Sequence, residues 1–542
     1  MASPDDGPDA PYMGQAQLPT LTPEFLAQHY PRSVGVVHVD MVNRHGDRTP
    51  AAHFIPEVAP KHWNFCALGN RLHQDFLKAV GLHARGPASI PARGPASGGD
   101  GAKYDGKWQI QIFENTSQSD GSSILAAAGT TAQHISDTSR PTAATCSFGQ
   151  LTDMGRQNMT TLGAHIRSLY VDALGFLPAT RQAGDSVADP LHLRSTSYTR
   201  TLESLHHVLG GLYPNVAAEE PVYRITTRSP ERDNMLPDFG CANLVRQFLK
   251  LNAMSLSRHA HEREQLAQDL RNIPGFRGFL DAEAKAGSKR SAITLMDTLV
   301  PMRTHGLPLP DGIDDVFLGR LARMAAAEYL HSGWMSAAVT RMQLGPMVHE
   351  LTGNIVRAVE ADRSKGQTPG PQLGIYSGHD ATVAGLLAAL CHDPAQRSRG
   401  APAGYAWPPF SSSLRIELLR DATTPSPATR PAWEHGQASA NTTPALVPPD
   451  NRVRPANVPD SLYRRSPGVG PSAQTNPRAL RDYYVRVWYN DRALLLPACR
   501  DPGAHHVGLG PAACTLDGFF KQVARFSVGG GERRRECSVP AS

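Results

Sequence analysis

Arg44-His45-Gly46-Asp47-Arg48-Thr49-Pro50 sets one histidine between two arginines, directly after the strand-like run of residues 34–42. As a packing arrangement this is poor. Two guanidiniums repel each other and disfavour a charged imidazole between them. A neutral imidazole in a cationic pocket suits attack on a phosphate dianion. The arginines grip the oxygens as planar forks, and the histidine supplies a nucleophilic nitrogen. Taken alone, the segment also reads as a turn, bent at Gly46 and Asp47 and stopped by Pro50.

Two later segments share its plan. Leu191-His192-Leu193-Arg194-Ser195-Thr196 is a short apolar run ending in an arginine. A helix pattern follows, with Leu202, Leu205, Val208 and Leu209 at helical spacing and Ser195 or Thr196 as its cap. Read by itself, Arg194 is a surface arginine at a strand end. Gln372 to Asp380 is another short strand, a small-residue turn and then an apolar helix over residues 381–390. His379 offers a cationic or hydrogen-bonding group. Asp380 offers a carboxyl that protonates a leaving alkoxide, or simply a helix N-cap. In an open α/β sheet such strand ends converge on one crevice. The pattern therefore predicts Arg44, His45, Arg48, Arg194, His379 and Asp380 around one phosphate.

These motifs resemble those of the histidine acid phosphatases, the branch of the phosphoglycerate-mutase-like superfamily that includes prostatic and lysosomal acid phosphatases and phytases. The first segment is similar to the RHGxRxP signature, and Ser377-Gly378-His379-Asp380 to the distal His-Asp motif. Gln150-Leu151-Thr152-Asp153-Met154-Gly155 resembles QLTxxG, and residues 193–202 resemble RST…RTL. Residues 483–489 and 496–499 resemble the late strand and its turn. With gaps, the resemblance spans residues 34–526.

The resemblance implies hydrolysis of phosphate monoesters in two steps through a phosphohistidine on His45. Asp380 acts as general acid, and Arg44, Arg48, Arg194 and His379 bind the phosphate. It implies no metal and no cofactor, in keeping with the absence of a tight acidic cluster. A general acid must hold its proton, and an ordinary aspartate near ~3.9 does so under acidic conditions. Asp47 stands where the family has Asp in many acid phosphatases and Ala in many phytases, so it leans toward a general phosphomonoesterase. Arg48 and Pro50 count against a mutase. Alternatives are a phytase or lysophosphatidate phosphatase of the same family, or a catalytically silent relative that binds phosphorylated ligands; a silent relative would be expected to lack His45 or Asp380.

The elements that must hold this site predict an α/β fold. It has a mostly parallel central sheet flanked by helices and an inserted, mainly helical cap. The organisation reads as a flexible segment 1–30, a first core part 31–235, a cap 236–345, a second core part 346–527 and a flexible tail 528–542. Cap residues Leu266, Leu270, Leu280, Leu295, Leu318, Leu321 and Met324 recur at helix-like intervals. Asp233, Asn234 and Asp238 sit at its start without an assignable role. Residues 84–139 contain a duplicated Ala-Arg-Gly-Pro-Ala-Ser, and residues 421–478 are rich in Pro, Ala, Ser, Thr and Asn. Both read as insertions whose composition buries too little apolar area to order them. The second lies between two strands that the resemblance pairs as a hairpin, a placement that costs only slowly growing closure entropy.

Composition narrows the partners. The 542 residues are 40% hydrophobic and 19% charged, with a formal charge of +5, mild for this length. No basic stripe with interleaved aromatics suggests nucleic acid. The expected partner is a small phosphate monoester, with the oligomeric state open. No apolar run spans a membrane, and the polar start lacks a signal-peptide pattern, which gives a cytoplasmic default, or secretion or a lysosome if the start is incomplete. Seven cysteines are an odd count. Cys499 and Cys514 resemble a family disulfide pair that would stay reduced in a reducing compartment. The pairs His206-His207, His259/His261 and His505-His506 lack zinc-site spacing. Sequons stand at Asn115, Asn158 and Asn441.

Overall fold

Apolar and β-branched residues fill the run Val34–Arg44, and it forms the longest strand, β1, central to a ten-stranded sheet. The other strands are β2 (Gln109–Glu114), β3 (Leu191–Ser195), β4 (Val222–Thr227), β5 (Leu373–Gly378), β6 (Ser413–Asp421), β7 (Tyr483–Tyr489), β8 (Arg492–Ala493), β9 (His505–His506) and β10 (Gly510–Thr515). Their order is β2-β4-β3-β5-β1-β6-β7-β10-β9, with β8 on β7. The computed structural model describes residues 16, 18–68, 70, 109–114, 145–180, 190–214, 222–285, 291–364, 371–393, 407–422 and 480–538.

The sheet is mixed, not mostly parallel. From β2 to β1 every pairing is parallel; from β1 outward through β6, β7, β10 and β9 every pairing is antiparallel. Parallel strands need helical crossovers, and the helices on both sides of the first half supply them. One face packs under the helices Asp153–Arg167 and Thr199–Leu212, with Leu162, Ile166, Leu205 and Leu209 against Val39, Leu193 and Ile375. The other face packs under the helices Ala337–Arg363, Asp380–Leu390 and Leu516–Val523. Fully burying one such aliphatic side chain contributes about 1.5–3 kcal/mol.

A separate apolar cluster joins the helices between Ala260 and Tyr329 to the loop carrying Ile55 and Trp63, and to Trp407 and Phe410. The strands β6 and β7 pair in antiparallel register from Leu414–Tyr489 to Arg420–Tyr483. The chain between them, residues 423–479, lies outside the described residues, as do most of 84–139 and the segment 1–15.

Several segments read as loose are ordered. Thr22 caps a helix over Pro23–His29, whose Phe25 and His29 rings pack on Trp488. Gln109–Glu114 forms the edge strand β2 inside the first low-complexity segment. The tail forms a helix, Gly530–Ser538, tied to the Ala242–Arg258 helix by Cys537–Cys241 and to Arg341 by Glu532 and Glu536. Cys66–Cys146 and Cys499–Cys514 are also disulfides, which leaves Cys391 as a thiol whose pKa burial pushes up to about 12. No described helix is long and apolar enough to cross a membrane.

Candidate active site

Three parallel strands set the positions. In register, Arg44 of β1 lies opposite Gly378 of β5, and Ser195 of β3 lies opposite Ser377. All three segments therefore end at one edge of the sheet, where crevices form in open α/β folds. The His45 N–H donates to the Gly378 carbonyl at 3.0 Å, and the Ser411 N–H donates to the His45 carbonyl at 3.1 Å.

The turn after His45 is clamped from the side. Thr152 caps the Asp153–Arg167 helix, and its N–H and hydroxyl both donate to the Asp47 carbonyl, at 3.0 and 3.2 Å. The backbones touch so closely that a Cβ on Gly46 would lie 2.5 Å from the Gly155 oxygen, and one on Gly155 would lie 2.1 Å from the Asp47 oxygen. Only glycine fits at either place. Asp47 is buried and accepts from the Asn158 amide at 2.8 Å, not from an arginine. The Asn158 sequon thus lies in a helix that grips the motif.

His45 is buried, and its Nδ1 lies 2.8 Å from the Gly46 carbonyl. A carbonyl only accepts, so Nδ1 carries the proton and Nε2 keeps the lone pair. Burial, then Arg200, Arg44, Arg48 and His379, holds the pKa of His45 well below the usual imidazole value. The arginines named from the motif act in the expected direction, but burial acts most strongly.

Arg44 and Arg48 are where the motif predicts. Arg44 pairs with Asp380 at 3.0 Å, donates to the Pro408 carbonyl at 2.6 Å and stacks 4.2 Å over Phe410. Arg48 pairs at 2.6 Å with Asp297, a residue of the Ser291–Thr304 helix that motif reasoning missed. Its signal was a single acid inside an otherwise apolar helical run, a costly placement without a partner.

Arg194 does not join this group. It sits within β3, and side chains alternate along a strand. Leu191 and Leu193 take one face. Arg194 takes the other, where it pairs with Glu350 at 2.9 Å and Asp233 at 2.8 Å and donates to Asn234. The guanidinium that stands beside His379 instead is Arg200, in the first turn of the next helix. The helix starts on Tyr198 without a side-chain cap, so neither Ser195 nor Thr196 caps it. Arg200 lies 4.6 Å over the Tyr198 ring and reaches Nδ1 of His379 at 3.4 Å. Burial and the neighbouring Arg48 bring its pKa down to about 10.

His379 is the N-cap of the Asp380–Leu390 helix, and Asp380 is the first helical residue. The ring lies edge-on to His45 with centroids 5.6 Å apart. Its Nε2 meets the Thr196 hydroxyl at 3.0 Å. Because Arg200 only donates, Nδ1 accepts, so His379 is neutral here. Burial and then Arg200, Arg44 and Arg48 hold its pKa well below the usual value. Hydrogen bonding, not charge, is what His379 offers. The Nε atoms of Arg44, Arg48 and Arg200 are buried without hydrogen-bond partners, as is that of Arg194.

Arg44, Arg48 and Asp380 line a pocket of about 240 Å³ together with Asp297, Ile293, Met296, Val300, Pro301, Tyr329, Trp407 and Phe410. Among the described residues, no group of three His, Cys, Asp or Glu side chains is placed to hold a metal ion.

Residues 36–433 match the histidine phosphatase superfamily, branch 2. The chain belongs to that family. It is a hydrolytic family acting on phosphate esters, and this member is 27% identical over 487 residues to a probable acid phosphatase of Schizosaccharomyces pombe, covering 88% of each chain. Human testicular acid phosphatase is 29% identical over 291 residues, 52% of this chain and 61% of its own length. Human lysophosphatidic acid phosphatase type 6 is 25% identical over 277 residues, 50% of this chain and 57% of its own. The fold aligns with Hafnia alvei phytase at a TM-score of 0.47 and 12% identity, over 94% of this chain and 100% of that one. In this histidine phosphatase the motif histidine, its flanking arginines and the distal His-Asp pair all meet at one sheet edge.

Proposed function

We propose that this protein is an acid phosphatase that hydrolyses phosphate monoesters through a phosphohistidine on His45. The observation that carries the reading is the 2.8 Å contact between His45 Nδ1 and the Gly46 carbonyl within the buried arginine cluster. The Nδ1–H is fixed on the Gly46 carbonyl, which leaves Nε2 as a neutral nucleophile among three guanidiniums. The phosphate is held by Arg44, Arg48 and Arg200, with His379 contributing a hydrogen bond. Arg194 holds the sheet face and plays no part at phosphorus.

Charge balance supports this assignment. The cluster sets three guanidiniums against the two carboxylates Asp380 and Asp297. When Asp380 carries a proton the excess is two positive charges, which matches a monoester dianion. Nε2 of His45 attacks phosphorus in line, the arginines stabilise the equatorial oxygens, and Asp380 protonates the departing alkoxide. The same carboxylate then takes a proton from the water that cleaves the phosphorus–nitrogen bond.

Six paired cysteines favour a disulfide-forming compartment over the cytoplasmic default.

The test is phosphate release from p-nitrophenyl phosphate across pH 4 to 8 with EDTA present. Activity is expected to be highest in acid, to survive the chelator, and to fall roughly 10⁴-fold or more in His45→Ala. A folded wild type that releases no phosphate, or a His45→Ala variant that keeps the activity, contradicts the proposal.

A further inference from the structure

The pocket above the phosphate arginines is chemically lopsided. Beyond Arg44, Arg48 and Asp380, its walls are Ile293, Met296, Val300, Tyr329, Trp407 and Phe410. The further charge among its described walls is negative: Asp297. That carboxylate is fixed in place, because Oδ1 accepts from Arg48 at 2.6 Å and Oδ2 accepts from the Ala51 N–H at 2.7 Å. The helix that carries it is anchored too. Glu328 accepts from the N–H groups of Ala292 and Ile293 at its first turn, at 3.1 and 3.0 Å.

We infer that this mouth selects a single phosphate esterified to an apolar alcohol and rejects polyphosphorylated substrates. The inference rests on the phosphatase reading and adds the substrate class to it. An alkyl or aryl stem leaving the phosphate runs along Phe410, Trp407 and the Ile293–Val300 helix face, and each methylene removed from water favours binding. A leaving group bearing further phosphates brings those anions against apolar walls and the immobile Asp297, where the low local dielectric strengthens repulsion. Asp297 is thus a specificity-determining residue with two effects: it holds Arg48 in position, and it screens leaving groups by charge.

The experiment compares kcat/KM at pH 5 for ethyl, butyl and octyl phosphate, all below micelle formation, and for inositol hexakisphosphate. It uses the full chain with its disulfides intact. In wild type kcat/KM is expected to rise roughly three- to fourfold per added methylene until the walls are covered, with inositol hexakisphosphate the poorest substrate. Ile293→Asn flattens that slope. Asp297→Asn raises inositol hexakisphosphate relative to ethyl phosphate by about tenfold. Asp297→Glu, which keeps the charge, leaves that ratio low. A flat chain-length series in an enzyme that turns over ethyl phosphate overturns the substrate class and leaves the phosphatase reading intact. So does a preference for inositol hexakisphosphate. Absence of turnover for every ester overturns both.

Discussion

Arg194 and Arg200 stand six positions apart, on adjoining elements, and meet opposite electrostatic conditions. Around Arg194 the charges are compensated. Arg194 and Arg228 share Glu350, Asp233 and Asn234, two guanidiniums against two carboxylates. Around Arg200 cations outnumber carboxylates, and burial with Arg48 brings its own pKa down to about 10. A compensated buried cluster holds structure together. An under-compensated one stores an affinity for an anion at the expense of stability. The same residue type, buried in both places, is expected to hold structure in one and to bind phosphate in the other.

Neutralising each arginine in turn has the largest expected effect. Arg200→Gln is expected to lower kcat/KM for p-nitrophenyl phosphate roughly 10²- to 10³-fold. Its thermal midpoint should hold or rise, since the fold disfavours the charge being removed. Arg194→Gln is expected to destabilise by about 3–5 kcal/mol, because Glu350 and Asp233 are left without their main partner. Turnover per folded molecule should change far less. Calorimetry and steady-state kinetics on the two variants decide it. The opposite pattern would reverse the two roles.

The acid limb of stability sharpens the comparison. Burial works to raise the Glu350 pKa, but Arg194 and Arg228 outweigh it and hold it at about 2. That carboxylate therefore contributes stability present above its unfolded value near ~4.3, and the contribution is lost as pH falls through about 2. Asp233 goes the other way, since burial outweighs Arg194 and raises its pKa. Thermal melts between pH 5 and 2 should lose part of their slope in Glu350→Gln and steepen in Asp233→Asn. An unchanged slope in both would show that the network is not carrying charge as described.

The smallest effect is expected at an exposed pair. Arg303 and Asp315 meet at 2.8 Å on the surface of the helix that carries Asp297. Solvent screening keeps such a pair below about 1 kcal/mol. Arg303→Ala should leave kcat/KM unchanged and the melting point nearly so. A large loss would mean that the position of this helix depends on its surface as well as its buried face.

Much of the frame was legible because periodicity is local. The strand runs at 34–44, 191–195 and 373–378 and the helices after them follow from apolar spacing, and strand ends in such a sheet meet at one edge. The assignment of Arg194 failed on parity. Leu191 and Leu193 already claim one face, so the strand rule puts Arg194 on the other face, under the Ala337–Arg363 helix, and leaves Arg200 to reach the crevice. The edge strand β2 was hidden because Gly- and Ser-rich composition around it outweighed the alternating Ile110 and Ile112. The antiparallel β6–β7 pair matches the hairpin that the resemblance implies, whereas the antiparallel pairing of β1 with β6 was not foreseen, because pairing direction depends on how the chain returns, which local pattern does not encode. The pairs Cys66–Cys146 and Cys241–Cys537 join residues 80 or more positions apart, beyond the reach of any local signal, whereas the lone acid Asp297 in its apolar run was visible and only its remote partner Arg48 was not.

The proposed mechanism requires that His45 take the phosphoryl group. The direct measurement is an alkaline quench of wild type during turnover of ³²P-labelled substrate, followed by mapping of the labelled peptide. The expected product is a base-stable, acid-labile phosphoryl group on His45, absent in His45→Ala and longer-lived when Asp380→Asn slows hydrolysis. Label on another residue, or turnover with no covalent phosphoenzyme under conditions that trap one, would contradict it.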